Sequence, residues 1–171
     1  MARLYLSPGE TYGFIGSFDV TQVIGTNSDE TVYVGPNGKA TFDPSFNRGG
    51  DEIAFLTSAL DVNTFASASG YDGVRSGSNL LITNDAGASL AIPIGSGGTI
   101  ITFAEGSFDL GISDGVIKLG DQVITTTAAS LDNLGDPVSA PAAYQPPESF
   151  QAFAAAPVPD LVLDSSMMSF G

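Results

Sequence analysis

The chain contains no cysteine, no histidine and no tryptophan. Without cysteine there is no disulfide, no thiol nucleophile and no thiolate metal ligand. Without histidine there is no Cys/His zinc site and no histidine-dependent triad. The missing tryptophan removes a stacking surface for sugars, and glutamate is too sparse to favour the paired-carboxylate chemistry of a glycosidase. The glycines never form a phosphate loop ending in Gly-Lys-Ser/Thr. The chain is therefore expected not to be an enzyme. Basic residues are equally scarce: five Lys and Arg stand against 19 Asp and Glu, a formal net charge of −14. That balance argues against nucleic acid, which needs basic patches, and against anionic lipid surfaces. No apolar run approaches the roughly 20 residues of a membrane helix, so membrane insertion is not expected. Met1–Glu10 (MARLYLSPGE) also lacks the apolar stretch of a Sec-type signal peptide. The expectation is either a cytosolic protein or export by a route that reads no N-terminal signal.

What is present points to an all-β fold. The 171 residues are 43% hydrophobic, enough for a packed core, and include 21 glycines. Turn signals recur about every 8–12 residues between short β-prone runs, the spacing of a sandwich, barrel or solenoid. Ser7-Pro8-Gly9 stops the first run, Asn84-Asp85-Ala86-Gly87 reads as a hairpin turn, and Asp114-Gly115 and Gly120-Asp121 follow. Pro93 marks an edge strand or a strand end. Residues 57–78 read ambiguously, as one helical turn or a loop. The expected fold is a short parallel β-solenoid, β-roll-like, or a β-sandwich, spanning residues 1–127. An extended Pro/Ala-rich arm is expected over 128–160, and an apolar C-terminal segment over 161–171, either a secretion signal or a docking strand.

The stretch Gly25–Leu56 organises the body. Twice a glycine-containing turn hands an acidic pair to a strand: Asp29-Glu30 into Thr31–Val34, and Asp51-Glu52 into Ile53–Leu56. The two units lie about one solenoid repeat apart. The first, Gly25-Thr26-Asn27-Ser28-Asp29-Glu30-Thr31-Val32, resembles a degenerate calcium-binding repeat of the RTX (repeats-in-toxin) family, and Gly49-Gly50-Asp51-Glu52-Ile53 echoes it. A full GGxGxDxUx nonapeptide is nowhere present. More broadly, Gly38–Thr127 resembles β-modules of bacterial surface proteins exported by type I secretion. The marks are Phe42–Asp51, Ile92-Pro93-Ile94-Gly95, Ile101–Gly106 and Lys118–Gln122. That resemblance implies an extracellular or cell-surface location and an uncleaved C-terminal export signal.

Calcium is the one ligand chemistry the residues support, because it takes 6–8 oxygens from carboxylates, amide side chains and carbonyls at about 2.3–2.6 Å. The expected ligands are Asp29, Glu30, Asp43, Asn47, Asp51 and Glu52, brought together if adjacent rungs stack at about 4.8 Å. A second set is Asn84 and Asp85 with Asp114 and Asp121. With no disulfides, calcium or oligomerisation is expected to supply rigidity. The expected function is an extracellular structural protein that self-assembles into a filament, surface layer or matrix. Its partners would be copies of itself and, further, a cell-surface glycan or another matrix component. A monomeric calcium-binding adhesin module and a phage or capsid-type structural protein are the alternatives.

Overall fold

The computed structural model describes residues 1–16 and 19–142. Its first half is a stack of coils. Strands β1 (Ala2–Tyr5), β3 (Thr21–Ile24) and β5 (Lys39–Phe42) run parallel in one sheet. Strands β2 (Gly13–Ile15), β4 (Thr31–Val34) and β6 (Arg48–Ser58) run parallel in a second. The chain changes sheet at every step, so each consecutive pair of strands is one coil. Ala2 lies beside Thr21 and Thr21 beside Ala40, a step of 19 residues each time. In the other sheet Gly13 lies beside Val32 and Val32 beside Ile53, steps of 19 and 21. This register places like residues on the same interior row. Ile15, Val34 and Phe55 form one row, and Val32 and Ile53 belong to another; all five are buried. Burying each such side chain contributes about 1.5–3 kcal/mol, which favours this register over a slip of one residue.

The second half continues both sheets but changes direction. Strand β7 (Asp61–Phe65) folds back on β6 as a hairpin. Strands β8 (Asp72–Ser76), β9 (Asn79–Thr83) and β10 (Ser89–Pro93) form an antiparallel meander. β10 then pairs parallel with β5, and β11 (Gly98–Phe103) pairs parallel with β6, so β10 and β11 form a fourth coil. Strands β12 (Gly106–Ser113), β13 (Val116–Leu119) and β14 (Gln122–Val123) extend the second sheet antiparallel, and β15 (Ala129–Ser130) adds to β8. The orders are β1-β3-β5-β10-β9-β8-β15 and β14-β13-β12-β11-β6-β4-β2. One core joins the sheets. At its centre Phe55 stacks on Phe103 with centroids 4.8 Å apart, and Tyr71 meets Phe55 edge-on at 4.9 Å. The fold is thus all-β, with a parallel solenoid at one end of a two-sheet sandwich.

Two boundaries differ from the sequence reading. The ambiguous stretch 57–78 is largely strand: β7, a 3-10 turn at Ala68–Gly70, and β8. The body does not stop at residue 127. Leu131 and Leu134 are buried in the core, and Ser107 bonds through its backbone to Val138 and Ser139. Pro and Ala content made this stretch read as linker, but two leucines and β15 hold it down. The expectations for 143–160 and for the segment 161–171 lie outside the described residues.

Candidate metal centre

The acidic corner forms where the chain enters β4 and β6. Alternation sets which way each carboxylate points. Asp51, Ile53 and Phe55 share the core-facing side of β6, whereas Ala54 and Leu56 lie in a separate outer cluster with Tyr33. Glu30 shares its side of β4 with the core residues Val32 and Val34. Glu30 and Asp51 therefore point between the sheets, and both are essentially inaccessible, at 0% and 2% exposure.

Hydrogen bonds tie this pair together across adjacent coils. The Glu30 N–H donates to Asp51 Oδ1 at 2.9 Å, and the Glu52 N–H donates to the Glu30 carbonyl at 2.8 Å. The Glu30 carboxylate accepts from the Gly9 N–H at 3.3 Å, the Thr26 N–H at 3.1 Å and the Thr26 hydroxyl. Asp29 lies against the backbone of Gly50, whose φ of +91° and lack of a Cβ make room for that carboxylate. Replacing Gly50 by Ala is expected to cost about 2 kcal/mol or more, since it combines a left-handed backbone with a steric clash. Urea unfolding of the variant measures it.

Asp43 sits at the same corner. It caps the 3-10 turn Pro44–Asn47, accepting from the Ser45 N–H at 3.2 Å, the Ser45 hydroxyl and the Gly25 N–H at 3.3 Å. Gly25 is wedged between the halves: a Cβ there would meet Ser45 Oγ at 2.5 Å and Glu30 Oε2 at 3.2 Å. The structure thus gathers Asp29, Glu30, Asp51 and, one layer away, Asp43. It does not bring in the other two expected ligands. Glu52 lies on the opposite face of β6 and accepts from the Thr102 hydroxyl, which is 2.8 Å from Ser107 Oγ. Asn47 turns to the Gly95–Gly97 loop, its carbonyl accepting from the Gly97 N–H at 3.1 Å. The second expected set does not assemble either. Asn84 spends its side chain on the Ala88 N–H and the Pro36 carbonyl, each at 2.8 Å, in the β9–β10 turn. The Asp114–Gly115 turn lies toward the other end of the strands.

The charges settle unevenly. Burial pushes Asp51 up, the Glu30 backbone N–H opposes it, and the Glu30 charge, the hydrogen bond to its side chain and the Asp29 charge add to the rise, to about 7. Burial also works to raise Glu30, but bonds from Thr26, Gly9 and Asp51 outweigh it and lower its pKa. Below about pH 7 the pair therefore holds one proton, on Asp51, and one negative charge, on Glu30. Among the described residues no group of three or more acidic side chains has the geometry to hold a metal ion. Two hydroxyls complete the corner, Thr26 donating to Glu30 and Ser45 to Asp43. Thr26 and Ser45 were not among the expected ligands. Their signals are an Asp-x-Ser turn cap at Asp43 and a threonine four residues before Glu30. No family model, no curated protein and no solved structure matches the chain.

Proposed function

We propose that the chain is a non-enzymatic, extracellular structural protein that assembles with copies of itself, with calcium bound at the acidic corner. One observation carries the assembly reading. Among the described residues β1 and β2 terminate the two sheets, so both layers present a strand edge at the first coil with no partner strand on its outer side. Such edges recruit further strands unless they are covered. Calcium is supported by the stacking of Asp29, Glu30 and Asp51 on adjacent coils, whose carboxylates would converge on one divalent ion only after side-chain rearrangement. The six-residue ligand set narrows accordingly to Asp29, Glu30 and Asp51, with Asp43 beside them.

The test is sedimentation velocity together with thermal unfolding, in about 1 mM calcium and in chelator. Calcium is expected to raise the midpoint, by several degrees at about 100 times Kd, where the linkage amounts to about 2.7 kcal/mol. Larger species are expected in both conditions, and more of them in calcium. An unchanged midpoint would remove calcium from the reading. A monomer throughout would favour the adhesin module instead.

A further inference from the structure

The end of the body made by the first coil differs from the rest in hydrogen bonding, packing and charge. On the side facing the sheet, the N–H groups of Ala2 and Leu6 bond the carbonyls of Val20, at 3.2 Å, and Ile24, at 3.0 Å. Alternation along a parallel strand then turns the N–H groups of Arg3 and Tyr5 outward, away from β3. β2 ends the second sheet on the same end of the body. Inside this end Leu4 packs on the core but is only partly buried. Gly13 places no side chain over it; a Cβ there would meet Leu6 Cδ2 at 3.0 Å and Leu4 Cδ2 at 3.4 Å. Around the rim Met1, Tyr5, Tyr12 and Val20 are exposed, Tyr5 at 63%. The charge is low: residues 1–24 hold one basic residue, Arg3, against Glu10 and Asp19, in a chain of net charge −14.

We infer that the first coil is a docking surface for the first coil of a second copy of this chain, the β1 edges and the β2 edges each meeting antiparallel about a two-fold axis. The inference rests on the self-assembly reading and names its contact. An occupant must meet two strand edges at once, at the separation of two packed sheets. A single extended peptide meets one of them. The opposite end of the body is a poor match, because β14 and β15 have two residues each and the 131–139 stretch lies beside them. A second first coil has the same strand lengths, the same sheet separation and the same apolar rim. Self-repulsion among chains of this charge is also weakest there. Such an isologous contact closes on itself, so a filament or lattice requires a second contact elsewhere.

The test is sedimentation velocity on the full chain over a concentration series in chelator, for wild type and Tyr5→Pro. Proline at position 5 removes an outward N–H and leaves the β1–β3 bonds of Ala2 and Leu6 in place. The wild type is expected to show a monomer–dimer equilibrium, and Tyr5→Pro to weaken it about tenfold or more, since each copy loses a donor. Amide hydrogen exchange on the wild type needs no variant. Arg3 and Tyr5 are expected to gain protection with concentration, while Ala2 and Leu6 stay unchanged. Association that leaves Arg3 and Tyr5 unprotected, with Tyr5→Pro still associating, would overturn this contact and leave the assembly reading standing. Protection of Arg3 and Tyr5 that disappears when the chain is truncated after Pro157 would make the segment 161–171 the occupant and overturn the paired-coil contact. A monomer at every concentration, with and without calcium, would overturn both readings.

Discussion

Replacing Asp51 by Asn should abolish most of the stability loss that the wild type shows between about pH 5 and pH 7. The sign follows from burial. The Asp51 carboxyl has a native pKa raised from 3.8 to about 7. Below 3.8 both the folded and unfolded chains carry its proton. Between 3.8 and about 7 the unfolded chain ionises and the native one does not, so stability falls as pH rises and levels off above about 7. A shift of that size corresponds to about 4 kcal/mol over the whole range, and about 2 kcal/mol of it lies between about pH 5 and 7. Glu30 acts in the opposite sense: its lowered pKa contributes stability above its ordinary value that is lost as pH falls through the native one. The two slopes place the stability maximum in mildly acidic solution. Asn at position 51 still accepts the Glu30 N–H and can donate to the Glu30 carboxylate, but it cannot ionise. In chelator the variant should match the wild type within about 2 kcal/mol at pH 5 and exceed it by about 3–4 kcal/mol at pH 8. The other 18 acidic residues and the five basic ones are common to both proteins, so the difference isolates Asp51. Urea unfolding at a series of pH values measures it, and parallel curves for the two proteins would refute the buried pair.

A chain truncated after Thr127 should be unfolded, or weaker by more than about 4 kcal/mol than one truncated after Ala142, which keeps the contacts of residues 128–142. The difference lies in two buried leucines. Leu131 is fully buried and Leu134 nearly so, and the Leu131 N–H donates to the Tyr71 carbonyl at 2.9 Å. The Leu134 carbonyl accepts from the Asp121 N–H at 2.8 Å, across Gly120, where a Cβ would strike that carbonyl. Removing each leucine costs about 2–5 kcal/mol, and deleting the strand exposes the core beneath. Circular dichroism and urea melts of the two truncations compare them directly. Equal stability at Thr127 would mean these contacts contribute nothing.

The same leucines show where the sequence was hard to read. Composition over 128–160 is dominated by Pro, Ala and Ser, and two apolar residues four and seven positions past Thr127 do not outweigh it. Their role depends on partners far away, at Tyr71 and Asp121. Local turn chemistry was far more legible. Asn84–Gly87 closes β9 onto β10, with Gly87 at φ +98°, and Asp114–Gly115 joins β12 to β13 with both residues at positive φ, as a primed hairpin turn requires. The one-repeat spacing of the two acidic pairs was also legible, and it is the register that stacks Glu30 beside Asp51. What misled was direction. Acidic residues beside glycine suggest solvent-facing or ion-facing turns, yet Glu30 and Asp51 share the parity of Val32 and Ile53 and so face inward. Glu52 was grouped with them by adjacency alone, and alternation sends it to the other face. The fourth coil was hidden because residues 59–88, including β7, β8 and β9, are inserted between its strands and the coil it stacks on.

Electron microscopy of the purified chain, with calcium and with chelator, tests the central claim most directly. Ordered polymers in calcium that fall back to dimers in chelator are expected if the first-coil edges pair the chains and a second, calcium-dependent contact links the pairs. Polymers indifferent to chelator would keep assembly and remove the ion. Monomers in both conditions would contradict the account.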